Sequence, residues 1–153
     1  MKSFAFAVYG EPATQGSKQF VTRYYARDSC KRLPEWRRRV GVTARTACTW
    51  STPIPKSTVE LDMVFVLNRP KAHYGTGKNA RMLKPSAPTE PTVKPDLIKM
   101  ARAVEDAMSG IVYKDDSQVC KYRNLEKRYA LDGEVEGVYV TVYVKPTNER
   151  IRQ

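Results

Sequence analysis

Carboxylates and cations gathered in one stretch of this chain could do chemistry on a phosphodiester. From Val93 to Val119 the sequence reads VKPDLIKMARAVEDAMSGIVYKDDSQV, with Asp96 near one end, Asp115 and Asp116 near the other, and Arg102 between them. Carboxylate oxygens suit a hard cation such as Mg²⁺, which needs few protein ligands and keeps several waters. Arginine suits the phosphate oxygens such an ion would share. The candidate catalytic residues are therefore Asp96, Asp116 and Arg102, and the candidate metal ligands Asp96, Asp116 and Asp115. In extended chain neighbouring side chains face opposite ways, so only one of Asp115 and Asp116 is expected to face the helix start. Plainer readings stand beside these. Asp96 also suits a helix cap, Asp115 and Asp116 a solvated turn, and Arg102 with Asp106 a surface pair worth a few tenths of a kcal/mol.

The element that must position these groups is a helix from about Asp96 to Ser109. Pro95 cannot sit in a helix interior, Asp96 can accept from the free N–H groups of a first turn, and Gly110 suits the left-handed residue after the last. On a wheel Leu97, Met100, Ala101, Val104, Ala107 and Met108 share one arc, the expected core face. The opposite arc carries Ile98, Lys99, Arg102, Glu105, Asp106 and Ser109. An exposed isoleucine so near the cap is not explained by helix propensity. With the helix start expected to meet the loop of Asp116, Asp106 lies about 15 Å too far along the axis and Glu105 points nearly opposite to Asp96. Glu90, in the preceding loop, is the remaining distant carboxylate.

Around this helix the pattern predicts an α+β domain, with a mixed or antiparallel sheet packed by two main helices. Ser3–Tyr9 alternates with Phe4, Phe6 and Val8 on one face, and Phe20–Tyr25 suggests a second short strand. Between them Gln15, Gly16, Ser17 and Lys18 offer small donors and a charge to a phosphate, or form a plain surface loop. Leu33–Trp50 shows helical spacing after Pro34. Its Arg37 and Arg38 fit either a phosphate backbone or a solvated face. Thr58–Leu67 is the clearest strand. Residues 68–94 form a long connection carrying Arg69, Lys71, Lys78, Arg81, Lys84 and Lys94, which suits a DNA clamp that orders on binding. Ser117–Tyr129 and Val138–Val144 read as a closing antiparallel pair turned at Asp132 and Gly133, followed by a polar tail from Lys145 to Gln153.

The whole chain bounds these readings. Its 153 residues suit one domain. Lysine and arginine number 27 against 16 acidic residues, a net charge of +11, so a polyanionic partner is expected. The candidate DNA contacts are Lys94, Lys99, Arg69, Lys71, Lys78, Arg81, Lys84, Lys18, Arg37 and Arg38. The lone histidine, His73, cannot build a zinc cluster, and Cys30, Cys48 and Cys120 have neither disulfide nor zinc spacing. Reduced thiols and a short N-terminal apolar run predict a cytoplasmic protein with no membrane span and no small-molecule cofactor.

At Asp96–Gln118 the chain resembles the RusA-type Holliday junction resolvases, small endonucleases common in phages and prophages. The family signature is similar to Asp-Leu-Asp-Asn-Leu-x-Lys opening a helix, then Asp-Ala-Leu, then Asp-Asp-x-Gln. Asp96, Asp106–Ala107–Met108, Asp115, Asp116 and Gln118 match it, and Arg102 stands at the lysine. Lys99 replaces asparagine, and Ile98 replaces an aspartate that the family uses for metal. The resemblance implies a Mg²⁺-dependent endodeoxyribonuclease, with Mn²⁺ also supporting activity. It would resolve four-way junctions in recombination and repair by paired symmetric cuts, in the host cytoplasm if phage-encoded. Two symmetry-related cuts imply a homodimer. The alternatives are a junction- or single-strand-binding protein weakened in catalysis by Ile98, and a basic partner of another protein.

Overall fold

The structure is a computed structural model and describes residues 1–16 and 18–146. Ser17 and residues 147–153, most of the expected polar tail, lie outside the described residues. The strands are β1 (Lys2–Tyr9), β2 (Lys18–Thr22), β3 (Tyr25–Asp28), β4 (Thr58–Leu67), β5 (Val119–Tyr129) and β6 (Gly137–Lys145). The helices are α1 (Leu33–Ala47) and α2 (Leu97–Met108). Thus α1 ends before Trp50, and α2 occupies the expected span with Asp96 and Ser109 as flanking residues. Gly110 adopts φ +75°, the left-handed conformation expected there.

A four-stranded mixed sheet has the order β1-β6-β4-β5. β6 pairs antiparallel with both β1 and β4, while β5 runs parallel to β4. The expected β5–β6 pair is therefore not formed. The chain does turn near Gly133, with Glu134 N donating to Leu131 O at 3.0 Å, but β6 then enters between β1 and β4. Polarity accounts for the order. β6 carries Val138, Val140, Val142 and Val144 into the core, whereas β5 carries Lys121, Arg123, Glu126, Lys127 and Arg128 and suits an edge. The expected single strand at Phe20–Tyr25 is instead a hairpin, β2–β3, outside the main sheet.

Alternation along β4 sends Val59, Leu61, Met63 and Phe65 into a core without exposure. There they join Phe4 and Phe6 from β1, Trp36 and Val40 from α1, and Met100, Val104 and Met108 from α2. The helices also touch each other, α1 lying against β1 and α2 against β5. Every apolar residue named above for the core face of α2 is packed, Leu97 partly.

The other sheet face carries a buried charge. Glu60, only 5 % exposed, is held by Arg123 at 2.6 Å and by Lys145, and the Arg123 guanidinium lies 3.7 Å from the Tyr143 ring centroid. Hydrogen bonds from Lys145 and then Arg123 lower its carboxyl to about 2 from an ordinary 4.5. A depressed acid stabilises the fold above its unfolded value, and that contribution fades as pH falls through its folded value. Stability from this site is thus expected to be full above pH 4.5 and to be lost towards pH 2. Glu60→Gln should flatten that acid limb in urea titrations at stepped pH; an unchanged limb would show that the triad does not govern it.

Candidate active site

Lys127 of β5 donates to the carbonyls of Val93 at 2.8 Å and Pro95 at 3.0 Å, fixing the chain where it enters α2. Asp96 follows in extended conformation. It stands at the cap position, but its side chain makes no capping hydrogen bond and instead lies 3.5 Å from Lys99 Nζ. The expectation that this carboxylate caps the helix therefore fails in detail, since the i,i+3 cation takes it.

At the other end of α2 the chain is fixed by a set of local bonds. Tyr113, fully buried, donates its hydroxyl to the Glu105 carbonyl at 2.7 Å. Asp115 Oδ1 accepts from Ser117 N at 2.9 Å, while Gln118 Oε1 accepts from Lys114 N and Asp115 N at 2.9 and 3.2 Å. Gln118 Nε2 donates in turn to the carbonyls of Ile54 and Ser57 at 3.2 and 3.1 Å. Asp115 and Gln118 thus brace a single 3₁₀ turn beginning at Asp116. The hydrogen bond from Ser117 holds the Asp115 carboxyl below its ordinary range.

Asp116 then faces a cleft of about 280 Å³ with Ile98, Arg102, Glu105, Asp106 and Tyr122. The four helix residues recur at 98, 102, 105 and 106, one face of α2. Asp116 meets this middle face rather than only the helix start. Glu105 and Asp106, expected to lie too far from Asp96, thus stand beside Asp116 instead. Asp96 and Asp115 are not among the residues lining the cleft.

Each carboxylate here has a distinct setting. Glu105 is half-buried and accepts from the Tyr122 hydroxyl. Burial raises its pKa first; the Tyr122 bond opposes this, the charges of Asp116 and Asp106 add to it, and Arg102 opposes it. Tyr122 is itself shifted upward, by burial and then by Glu105. Asp106 accepts from Gln15 Nε2, and Gln15 N donates to the Lys99 carbonyl at 3.0 Å, so the β1–β2 loop is tied to α2 beside the cleft. Gln15, expected to face phosphate or solvent, is used on the helix instead, and its Oε1 is buried without a partner among the described residues.

The cations divide between structural and open roles. Arg38 pairs with Glu35 at 2.7 Å, the solvated-face arrangement. Arg69 lies over the Tyr129 ring at 4.2 Å and donates to Pro88 O at 2.7 Å and Thr89 O at 3.4 Å, tying down the long connection. That connection is organised internally by a Tyr74–Leu83 bridge and by bonds from Gly75 N to Met82 O and Lys84 N to His73 O. Lys71, Lys78, Arg81 and Lys84 are exposed along it, Lys94 is exposed before α2, and Lys18 is exposed on β2. Arg37 lines a separate concavity beside β3.

A cation fits this cleft by the chemistry of its donors. No three His, Cys, Asp or Glu side chains among the described residues are arranged to share one ion. Mg²⁺ sites, however, are commonly completed by one or two carboxylates, water and substrate phosphate. Glu105 and Tyr122 line this cleft and were not among the candidates expected from the sequence. For Glu105 the signal existed, because it shares the polar arc with Ile98, Arg102 and Asp106; for Tyr122 the shifted register between β4 and β5 hid it.

An α+β domain presenting carboxylates and an arginine in one cleft offers oxygen donors to a cation and a guanidinium to a phosphate. The chain matches the family described as Endodeoxyribonuclease RusA over residues 10–143, and it belongs to that family. It is also 29 % identical over 139 residues to the "Uncharacterized protein YqaN" of Bacillus subtilis (strain 168), covering 89 % of this chain and 94 % of that protein. No helix of the described residues is long and apolar enough to cross a membrane.

Proposed function

We propose that this chain is a single-domain, divalent-cation-dependent endonuclease that resolves four-way or other branched DNA by paired, symmetric cuts. The observation that carries the reading is the convergence of Asp116, Glu105 and Asp106 with Arg102 in one cleft of a strongly basic, RusA-family chain. Asp116 and Glu105 would hold the cation, whose charge would favour the attacked phosphate and acidify a water nucleophile. Arg102 would donate to a non-bridging phosphate oxygen. Gln15 fixes Asp106 and Tyr122 orients Glu105, keeping the acidic wall in place as a phosphate arrives. Asp96 would reach the same ion only by leaving Lys99, a step that costs little because exposed ion pairs contribute about 0–1 kcal/mol.

Incubating a synthetic four-way junction with protein and Mg²⁺ or Mn²⁺ tests this, with a linear duplex of the same arms as control. Paired cuts at symmetric positions on the junction alone are expected. Junction binding without cleavage in either metal would favour the second reading, a binding protein disabled by Ile98, which stands 58 % exposed in the cleft.

Paired cutting requires two sites, and the sheet face opposite the helices, which carries Tyr139 and Tyr143, is the surface proposed to bury in a two-fold dimer. Multi-angle light scattering at micromolar concentration is expected to give twice the 17.4 kDa chain mass. A monomer both free and on junction DNA would count decisively against it.

A further inference from the structure

The β2–β3 hairpin is built as an arm with no body under it. All five residues of β2 are exposed, as are Tyr25, Ala26 and Arg27 of β3. Phe20 is 80 % and Tyr24 91 % exposed. A two-stranded hairpin gains little stability alone, and burying neither face gains less. Large side chains on such an arm serve contact with something else. From Lys18 to Asp28 the arm carries three cations, Lys18, Arg23 and Arg27, against one carboxylate, Asp28.

A concavity of about 610 Å³ opens where the arm meets α1, lined in part by Tyr25, Arg27, Lys31 and Arg37 and by no carboxylate. Arg27, Lys31 and Arg37 make no ion pair with any described residue. The arm also starts beside the cleft of Asp116, next to residues of α2 that line it. Gln15 is bonded to Lys99 and Asp106 of α2, and Gly16 lies so close to Arg102 that a Cβ there would stand 3.1 Å from the guanidinium. A strand leaving the cleft past Gly16 would run onto the arm. A strand of this length reaches about 16 Å, some five nucleotide steps at about 3.4 Å each.

We propose that the β2–β3 arm and the basic concavity at its base form a DNA-binding surface, in which Arg27, Lys31 and Arg37 take the phosphates and Phe20 and Tyr24 stack on bases exposed at the branch point. The occupant is a DNA strand rather than a protein because the charges are predominantly cationic, three to one along the arm and with no carboxylate lining the concavity, and are interleaved with aromatic rings, the pairing that serves a phosphate backbone with unstacked bases. The aromatic pair gives the site its preference for branched substrates, since a linear duplex offers no unstacked base. This rests on DNA being the substrate, and the test separates the two claims.

Fluorescence anisotropy without divalent metal keeps the DNA intact and compares four-way junction, linear duplex and single strand across a salt series. The proteins are wild type, Phe20→Ala/Tyr24→Ala and Arg27→Ala/Arg37→Ala, all altered at exposed positions. The aromatic variant is expected to lose about tenfold or more in junction affinity and much less on duplex. The arginine variant should weaken binding to all three and lower the slope of log K against log salt by about two. Wild-type affinity alone judges the junction reading, while the differences between proteins judge the arm. Binding by wild type to single strand but not junction, lost in the variants, would sustain the arm and sink the junction reading. Unchanged affinity and salt slope in both variants, no DNA binding by wild type, or variants that turn a dimer into a monomer with DNA contacts intact would each overturn the proposal.

Discussion

Asp116→Asn should abolish cleavage, by about a thousandfold or more in the single-turnover rate, while four-way-junction affinity stays level or tightens. The carboxylate faces the cleft from a turn whose braces are Asp115 and Gln118, so removing its charge leaves the turn bonded as before. In the proposed role, what goes is an oxygen donor to a cation and a negative charge aimed where phosphate would sit, and those losses act in opposite directions on catalysis and binding. Gel-shift titration beside quenched-flow cleavage on one junction reads both. Equal loss of the two would show that Asp116 is structural.

Glu105→Gln is the second large effect, and its sign differs between activity and stability. Burial first, and then the neighbouring Asp116 and Asp106, disfavour the ionised form, with Tyr122 and Arg102 opposing. An acid whose folded pKa is raised contributes relative stability at low pH and loses it as pH rises from the unfolded value through the folded one. The amide should therefore raise Tm at neutral pH and leave it unchanged below the ordinary 4.5, while Tyr122 keeps an acceptor. Cleavage should fall by about a hundredfold or more, and Mn²⁺ binding followed by electron paramagnetic resonance should weaken with it. Ile98 lines the same cleft, so Ile98→Asp is expected to restore part of the loss and, in the otherwise native chain, to raise cleavage at limiting Mg²⁺. A Glu105→Gln protein that cleaves and binds Mn²⁺ normally would remove Glu105 from the site.

Periodicity made α2 readable to within a residue or two, because a proline entry, a glycine exit and an apolar arc agree on one element. A mixed or antiparallel sheet followed from element order, but strand neighbours did not. Nothing local says that β6 pairs with β1 and β4 rather than with the strand beside it in sequence; that choice lies in which strand tolerates burial on both edges. The site was half legible for a related reason. Asp116 and Arg102 do line one cleft, yet which other carboxylates join them depends on where β5 and its preceding turn meet the helix, a tertiary fact. Counting along the helix from Asp96 makes Glu105 remote, whereas Asp116 meets the helix further along.

The sheet order also dictates when this protein can become itself. β1 has a single neighbour, β6, with Lys2 opposite Val144 and Val8 opposite Val138. During synthesis the first strand therefore waits without a strand neighbour, its apolar face meeting α1 alone, until nearly all of the chain described here has left the ribosome. Closure joins partners far apart in sequence, which makes it slow relative to helix formation and leaves an apolar strand exposed to the cell meanwhile. The cleft shares that delay, since Gln15, which steadies Asp106, hangs from the end of β1. A nascent chain would thus carry its acidic residues long before it could assemble them, and cutting power would arrive only with the last strand.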